Sequence, residues 1–177
     1  MKNEKKFREM AIIGIASDNR NLQPVVILKE MNGERELYIW IGPVEAMALQ
    51  RAISKEIFQR PLTHELMRNI IEKAGLVIEH IEIDDLKDHT YYATIYLKGA
   101  DGKLVTVDAR PSDSLVLATW NGVPVFVSED VIEGMAQPDP TETTKRKVVF
   151  TQEDIEQTDE ELTKILERMN PDDIGNA

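Results

Sequence analysis

The chain repeats itself once, and that repetition limits its fold more than any other feature. Residues 28–49 read LKEMNGERELYIWIGPVEAMAL and residues 97–118 read LKGADGKLVTVDARPSDSLVLA. With one residue of slack at the turn, Pro43 falls on Pro111, Glu45 on Asp113 and Leu49 on Leu117. In the first copy, Val25–Lys29 and Glu36–Ile41 are strand-like runs around Asn32-Gly33. That dipeptide signals a hairpin because both residues tolerate the positive φ of a tight turn. In the second copy, Tyr91–Lys98 and Leu104–Ala109 flank Ala100-Asp101-Gly102-Lys103 in the same way. Each hairpin runs into a proline, Pro43 or Pro111, that suits the first position of a helix, where the missing N–H is not needed; the helices are expected over Val44–Ile57 and from Pro111 through Trp120. Each is also preceded by a further β-like piece, Glu9–Ala16 or Leu76–Ile83. The expected fold is α+β, a single compact domain of two pseudo-repeated β-β-β-α units.

Additional elements decorate this plan. Thr63 reads as the N-cap of a helix over about Glu65–Ala74, stopped by Gly75. Val123–Val127 reads as a short strand, and Ser128-Glu129-Asp130 as the start of a brief helical turn ending near Gly134. The domain is expected over residues 1–136, a Pro-containing linker over 137–150 and an acidic tail over 151–177. In the tail a polar helix, about Gln157–Met169, carries one apolar stripe of Leu162, Ile165, Leu166 and Met169.

Charge and composition exclude several classes. The 177 residues include no cysteine, which removes disulfides, thiolate metal sites and cysteine nucleophiles. No apolar run approaches the ~20 residues of a membrane span, and nothing at the start resembles a secretory signal, so a soluble cytoplasmic protein without membrane partners is the expectation. Thirty-two acids against 21 bases give a net charge of −11, unfavourable for non-specific binding of duplex phosphates. The charge is uneven: residues 151–177 hold nine acids and two bases, leaving residues 1–150 at −4.

Phosphate-loop, dinucleotide, serine-elbow and His-Glu-x-x-His patterns are all missing, and no motif calls for an organic cofactor. With three histidines in the chain, a metal site needs mostly carboxylates, which favours a hard ion such as magnesium or manganese. The densest polar cluster is Asp108-Ala109-Arg110-Pro111-Ser112-Asp113-Ser114. Asp108 at a strand end and Asp113 in the next helical turn are candidate ligands of a divalent cation. Arg110 adds a donor fork suited to phosphate, the parts that metal-assisted hydrolysis requires. The structural alternative is that Asp113 and Glu45 complement helix dipoles and Asp108 pairs with Arg110. In Thr63-His64-Glu65, His64 is a candidate acid–base and Glu65 its orienting partner or a metal ligand; the alternative is a capped helix start. Asp84, Asp85, Asp88 and His89 form a further candidate metal run, or the polar face of a strand and its turn. Trp40 and Trp120 are candidates for stacking on bases, or core residues.

Tyr38-Ile39-Trp40-Ile41-Gly42 with Glu45-Ala46, Arg60-Pro61-Leu62-Thr63-His64-Glu65-Leu66, Thr90-Tyr91-Tyr92-Ala93 and Asp108 through Ser114 together resemble the bifunctional nuclease family. The likeness runs in order from about Met10 to Met135. It implies a compact α+β domain of repeated three-strand-plus-helix units and hydrolysis of DNA and RNA. It makes Glu45, Thr63, His64, Glu65, Asp108, Arg110, Ser112 and Asp113 the positions to follow. The rival expectation is a non-enzymatic homo-oligomeric assembly protein, its clusters structural and its acidic tail a partner-binding segment. Hairpin edge strands offer such a protein a route to self-association.

Overall fold

The computed structural model describes residues 5–17 and 23–134. The first repeat gives β1 (Phe7–Ser17), β2 (Pro24–Glu30), β3 (Glu36–Trp40) and helix α1 (Pro43–Ser54). Helix α2 (Thr63–Lys73) separates it from the second repeat of β4 (Leu76–Lys87), β5 (Thr90–Gly99), β6 (Leu104–Ala109) and α3 (Pro111–Asn121). The short β7 (Val125–Ser128) and α4 (Glu129–Gly134) follow. One seven-stranded sheet has the order β3-β2-β1-β7-β4-β5-β6. The two antiparallel meanders thus lie side by side, with β7 between their first strands, antiparallel to β1 and parallel to β4. An α+β domain of two β-β-β-α units is what the repeat predicts. The linker and the tail helix lie outside the described residues. Among the described residues, no helix is long and apolar enough to cross a membrane.

Strand parity decides which side chains meet the helices. Ile81, Ile83, Ala93, Ile95 and Leu97 alternate along β4 and β5 and are buried, as are Val26, Leu28, Leu37 and Ile39 along β2 and β3. Helix α3 packs on β4 and β5 and against α1, while α1 reaches β2 and α2 rests on β4 and α3. Nearly every side of α3 is covered: Ser114, Leu115, Val116, Leu117 and Ala118 are all at most 2% exposed. That explains the unbroken apolar run Leu115–Ala118 in its middle. The Tyr91 hydroxyl donates to the Tyr38 carbonyl at 3.4 Å, although four strands separate β5 from β3 in the sheet. The sheet therefore curls around the α1–α3 pair.

Three local expectations need correction. The Asn32-Gly33 loop is not a positive-φ turn, since among the described glycines only Gly75, Gly102 and Gly122 have positive φ and Asn32 does not. Instead the Glu30 N–H donates to the Arg35 carbonyl at 3.0 Å and the two side chains form a bidentate pair. The Glu30 carboxylate lies where a Cβ on residue 33 would stand, so glycine serves close approach there. Strand β4 continues past Ile83 to Lys87, because Asp85, Leu86 and Lys87 keep pairing with β5 up to the two-residue turn at Asp88 and His89. Asp84 then accepts from Thr94 Oγ1 at 2.6 Å and Asp85 pairs with Lys87, which disperses that candidate metal run. Finally, α1 stops at Ser54, short of Ile57, because Lys55 adopts a left-handed conformation and its N–H bonds the Arg51 carbonyl.

Candidate active site

The N-terminal turns of α1, α2 and α3 meet at one cleft, and each starts without a side-chain cap from its N-cap residue. Leu62, not Thr63, holds the N-cap position of α2; its N–H donates to Glu65 Oε2 at 3.2 Å, so Glu65 closes the helix start. This places His64 in the first turn, facing α3. Residues Gly42 and Arg110 occupy equivalent N-cap positions ahead of Pro43 and Pro111. Two helix N-termini side by side favour negative charge, and Glu45 and Asp113 supply it from their first turns.

Arg110 joins the two. Its Nε donates to Asp113 Oδ2 at 2.7 Å, its Nη2 to Asp113 Oδ1 at 3.2 Å and its Nη1 to Glu45 Oε1 at 2.9 Å. His64 Nε2 lies 3.0 Å from Asp113 Oδ1. Partial burial pushes the Asp113 carboxyl up, but the hydrogen bonds from Arg110 and His64 outweigh it and hold the carboxyl below its ordinary value. The hydrogen bond to Asp113, seconded by the charge of Glu45, pushes the Arg110 guanidinium above its ordinary value, so it is permanently charged. An ionised carboxylate at Oδ1 requires a donor opposite, which sets the proton of neutral His64 on Nε2 and leaves Nδ1 as the basic nitrogen. The His64 side chain is 15% exposed and that of Arg110 64%, so the histidine is braced within the wall while the guanidinium edge is open to solvent.

The cleft has a volume of about 380 Å³. Glu45, Ala48 and Arg51 from α1, His64 and Met67 from α2, and Asp113, Val116 and Trp120 from α3 line it. Three- and four-residue steps put each set on one helix face. On the other side of the Glu45–Arg110 pair is a second hollow of about 340 Å³, bordered by Trp40, Tyr91 and Ser112.

The structure brings together His64, Arg110 and Asp113, with Glu65 at the rim. It does not bring Asp108. That residue pairs across β5 with Thr94, whereas its neighbours Val107 and Ala109 pair with the buried Ile95 and Ala93. Asp108 therefore lies on the opposite face of the sheet and is exposed, and it shares no site with Asp113. Glu45 is closer to the chemistry than its sequence reading as a dipole acid implies. The sequence motifs give Arg51 no role, although the Glu45–Ala48–Arg51 spacing marks a single face of α1. Thr63 at the cleft wall and Ser112 beside the second hollow make no hydrogen bond to the cluster.

The α+β domain thus gathers an arginine fork, a histidine and two acids at one cleft, groups able to bind an anion and to exchange a proton. The bifunctional nuclease domain family matches residues 26–139, and the chain belongs to that family. It is 34% identical over 166 residues to an uncharacterized protein of Mycobacterium tuberculosis, covering 94% of this chain and 97% of that one. Similarity extends to Bifunctional nuclease 2 of Oryza sativa subsp. japonica, 27% identical over 63% of this chain and 37% of the rice protein. Bifunctional nuclease 2 of Arabidopsis thaliana is 24% identical over 59% of this chain and 32% of its own length. The chain thus matches only about a third of each plant protein.

Proposed function

We propose that the cleft between α1, α2 and α3 hydrolyses phosphodiester bonds of DNA or RNA. The observation that carries this reading is the His64–Asp113 contact at 3.0 Å, closed on its other side by the Arg110 fork. Three of the five guanidinium N–H groups are engaged by Asp113 and Glu45, which leaves two for phosphate oxygens. His64 Nδ1 takes a proton from water as the water oxygen attacks phosphorus. The bond to the leaving sugar oxygen breaks, and the imidazolium or solvent returns a proton to that oxygen. Asp113 holds the imidazole in its tautomer and stabilises the imidazolium. Water as nucleophile works on strands with or without a 2′-hydroxyl.

The donor set does not fit the magnesium or manganese site expected at Asp108 and Asp113. Asp108 is on the far face of the sheet, both Asp113 oxygens are held by Arg110 and His64, and the described residues contain no group of three or more His, Asp and Glu arranged around a cation position. The positive charge between Glu45 and Asp113 is the guanidinium itself, so no step is routed through a metal.

The test is hydrolysis of end-labelled DNA and RNA oligonucleotides by the purified protein, with magnesium, with manganese and with chelator. His64→Ala should abolish cleavage, and Arg110→Lys, which keeps the charge but loses the fork, should weaken it. Cleavage at wild-type rate by both variants would assign the activity to a contaminant and end this reading.

A self-assembling protein is the second reading, favoured by apolar surface on α2 and the loop before it: Ile57 is 83%, Leu66 51% and Ile70 59% exposed. Sedimentation decides it. A monomer at micromolar concentration removes it, and a dimer that Ile70→Glu dissociates supports it.

A further inference from the structure

We propose that Trp120, with Lys55 and Arg68, forms a nucleobase-and-phosphate subsite at the end of the cleft opposite Asp113. This rests on the reading of the cleft as a nucleic-acid site and adds where a neighbouring nucleotide sits. The three helices present acids and histidine from their first turns and cations with aromatics from their later ones. Trp120 is seven residues beyond Asp113 on α3, ~10 Å at 1.5 Å per residue. That is about three nucleotides of a stacked strand at ~3.4 Å each.

Lys55 Nζ lies 5.4 Å and Arg68 Cζ 5.8 Å from the Trp120 ring centroid. One turn closer along α1, the Arg51 guanidinium lies 5.2 Å from the Phe58 ring, which is 41% exposed. Among the described residues these three share the lack of a carboxylate ion pair with Lys5, Lys6, Arg60 and Lys73, and of that group only these three stand over aromatic rings. Arg8, Lys29, Arg35, Lys87, Lys98, Lys103 and Arg110 all form ion pairs. Among the described residues, Arg51, Lys55 and Arg68 form none.

Arg51 and Trp120 line the cleft, and Lys55 and Arg68 stand beside its Trp120 end, Lys55 Nζ also donating to the Thr119 carbonyl at 2.5 Å; in a chain of net charge −11 these cations concentrate positive potential there. The cleft's own acids, Glu45, Glu65 and Asp113, are grouped at the other end, and each is engaged by an N–H donor. Base stacking on an aromatic face combined with phosphate neutralisation by adjacent cations is the chemistry of single-stranded nucleic-acid binding. A purely structural role for the same residues would be cation–π bracing of the Trp120 ring, and the two differ in what removal of the base does.

The experiment uses the full chain carrying Trp40→Phe, which leaves Trp120 as its one tryptophan. The probes are phosphorothioate hexathymidylate and an abasic sugar–phosphate oligomer of equal length. Hexathymidylate should quench Trp120 fluorescence saturably, and the abasic oligomer should bind more weakly without quenching. Trp120→Leu should weaken hexathymidylate binding, measured by polarisation of a labelled strand, about 5- to 150-fold, the ~1–3 kcal/mol of one base–aromatic stack. It should leave the abasic affinity unchanged. Arg68→Ala and Lys55→Ala should weaken both probes and each lower the salt slope of binding by about one. Equal affinity for the two probes, or salt slopes unmoved by Arg68→Ala and Lys55→Ala, overturns the proposal. The salt-slope arm stands even where Trp120→Leu melts too low to assay.

Hydrolysis is read separately. Cleavage lost in His64→Ala with these binding results absent removes the subsite and keeps the hydrolase. Trp120-dependent binding without cleavage by wild type keeps the subsite and removes the hydrolase.

Discussion

Replacing Asp113 by asparagine keeps the size of the side chain, removes its charge and puts an N–H₂ opposite a donor. In the wild type, Oδ2 accepts from Arg110 Nε at 2.7 Å and Oδ1 from Arg110 Nη2 and His64 Nε2. The stability cost is modest, because Arg110 is 64% exposed and pays little to lose one exposed partner. An exposed pair contributes ~0.2–1 kcal/mol and the half-buried histidine contact about 1 kcal/mol. A loss of about 1–2 kcal/mol lowers Tm by roughly 3–10 °C for a domain of this size. The catalytic cost is larger. General acid–base catalysis contributes ~10²–10⁴ in rate, and the asparagine in place of an aspartate that orients a histidine favours the wrong tautomer, worth ~10⁴ in the serine-protease case. That range is about 3–5.5 kcal/mol of activation free energy at ~1.36 kcal/mol per tenfold, above the stability term.

The assay is initial cleavage of a labelled oligonucleotide at saturating substrate, well below the melting temperature of both proteins. A kcat reduced less than tenfold, or a rate loss matched by the unfolded fraction, would refute the dyad. The pH dependence adds a second reading. Since the folded-state Asp113 value is depressed below 3.8, its stabilising contribution is complete above that value and is lost as pH falls through the folded pKa. The Tm gap between wild type and Asp113→Asn should therefore hold from pH 7 to 5 and close below about 3.8.

Other perturbations follow from the same geometry. Ser114 is fully buried and its Oγ has no hydrogen-bond partner, so Ser114→Ala should raise stability by up to about 1 kcal/mol in a denaturant melt; a loss above 1 kcal/mol would mean that the hydroxyl is bonded. Gly42 has φ −75°, so alanine fits its backbone, but the new Cβ meets the Glu45 carboxylate. Gly42→Ala should melt like wild type yet cleave as slowly as Glu45→Gln, and a wild-type rate beside a slow Glu45→Gln would contradict this. The hydrogen bond from Arg35 lowers the Glu30 value, and that from Arg8 lowers the Glu129 value. Their contributions are complete above about 4.5 and are lost as pH falls below it, so Tm should drop on acidification and Glu129→Gln should flatten that drop.

Local chemistry was legible wherever it was strong. Proline at the first helical position located the starts of α1 and α3, and apolar alternation located β6 at Leu104–Ala109. Pairing between distant segments was harder to read. The four residues of β7 join the two meanders through a parallel pairing with β4, and nothing in Val125–Ser128 itself names that partner. The end of β4 is charged, which reads as a loop until Thr94 and its β5 neighbours lie opposite. The facing of Asp108 was available from alternation, since Val105, Val107 and Ala109 are the apolar set of β6, and an aspartate between two of them belongs on the other face. Its proximity in sequence to Arg110 concealed that parity. The partnership of His64 with Asp113 spans 49 positions and required the packing of α2 on α3.

The repeat also explains why the first-turn acids of α1 and α3 share one arginine. Duplication places two helix starts beside each other, each with an acid three residues after its N-cap, Glu45 after Gly42 and Asp113 after Arg110. Two such carboxylates at adjacent helix starts repel each other, and a single cation between them satisfies both. The first copy contributes space, because Gly42 lets the Glu45 carboxylate fold over its own N-cap toward Arg110. The second copy contributes the cation at the equivalent position. Helix α2 has no counterpart after α3, where β7 follows, and its first turn brings His64 to Asp113 and not to Glu45. The acid–arginine bridge is thus the symmetric part of the site and the histidine the asymmetric part. In the proposed hydrolase, the symmetric part holds the anion and only the asymmetric part gives it a proton-transfer group on one side. A change that removes Glu45 acts on anchoring, and a change that removes Asp113 acts on anchoring and proton transfer together.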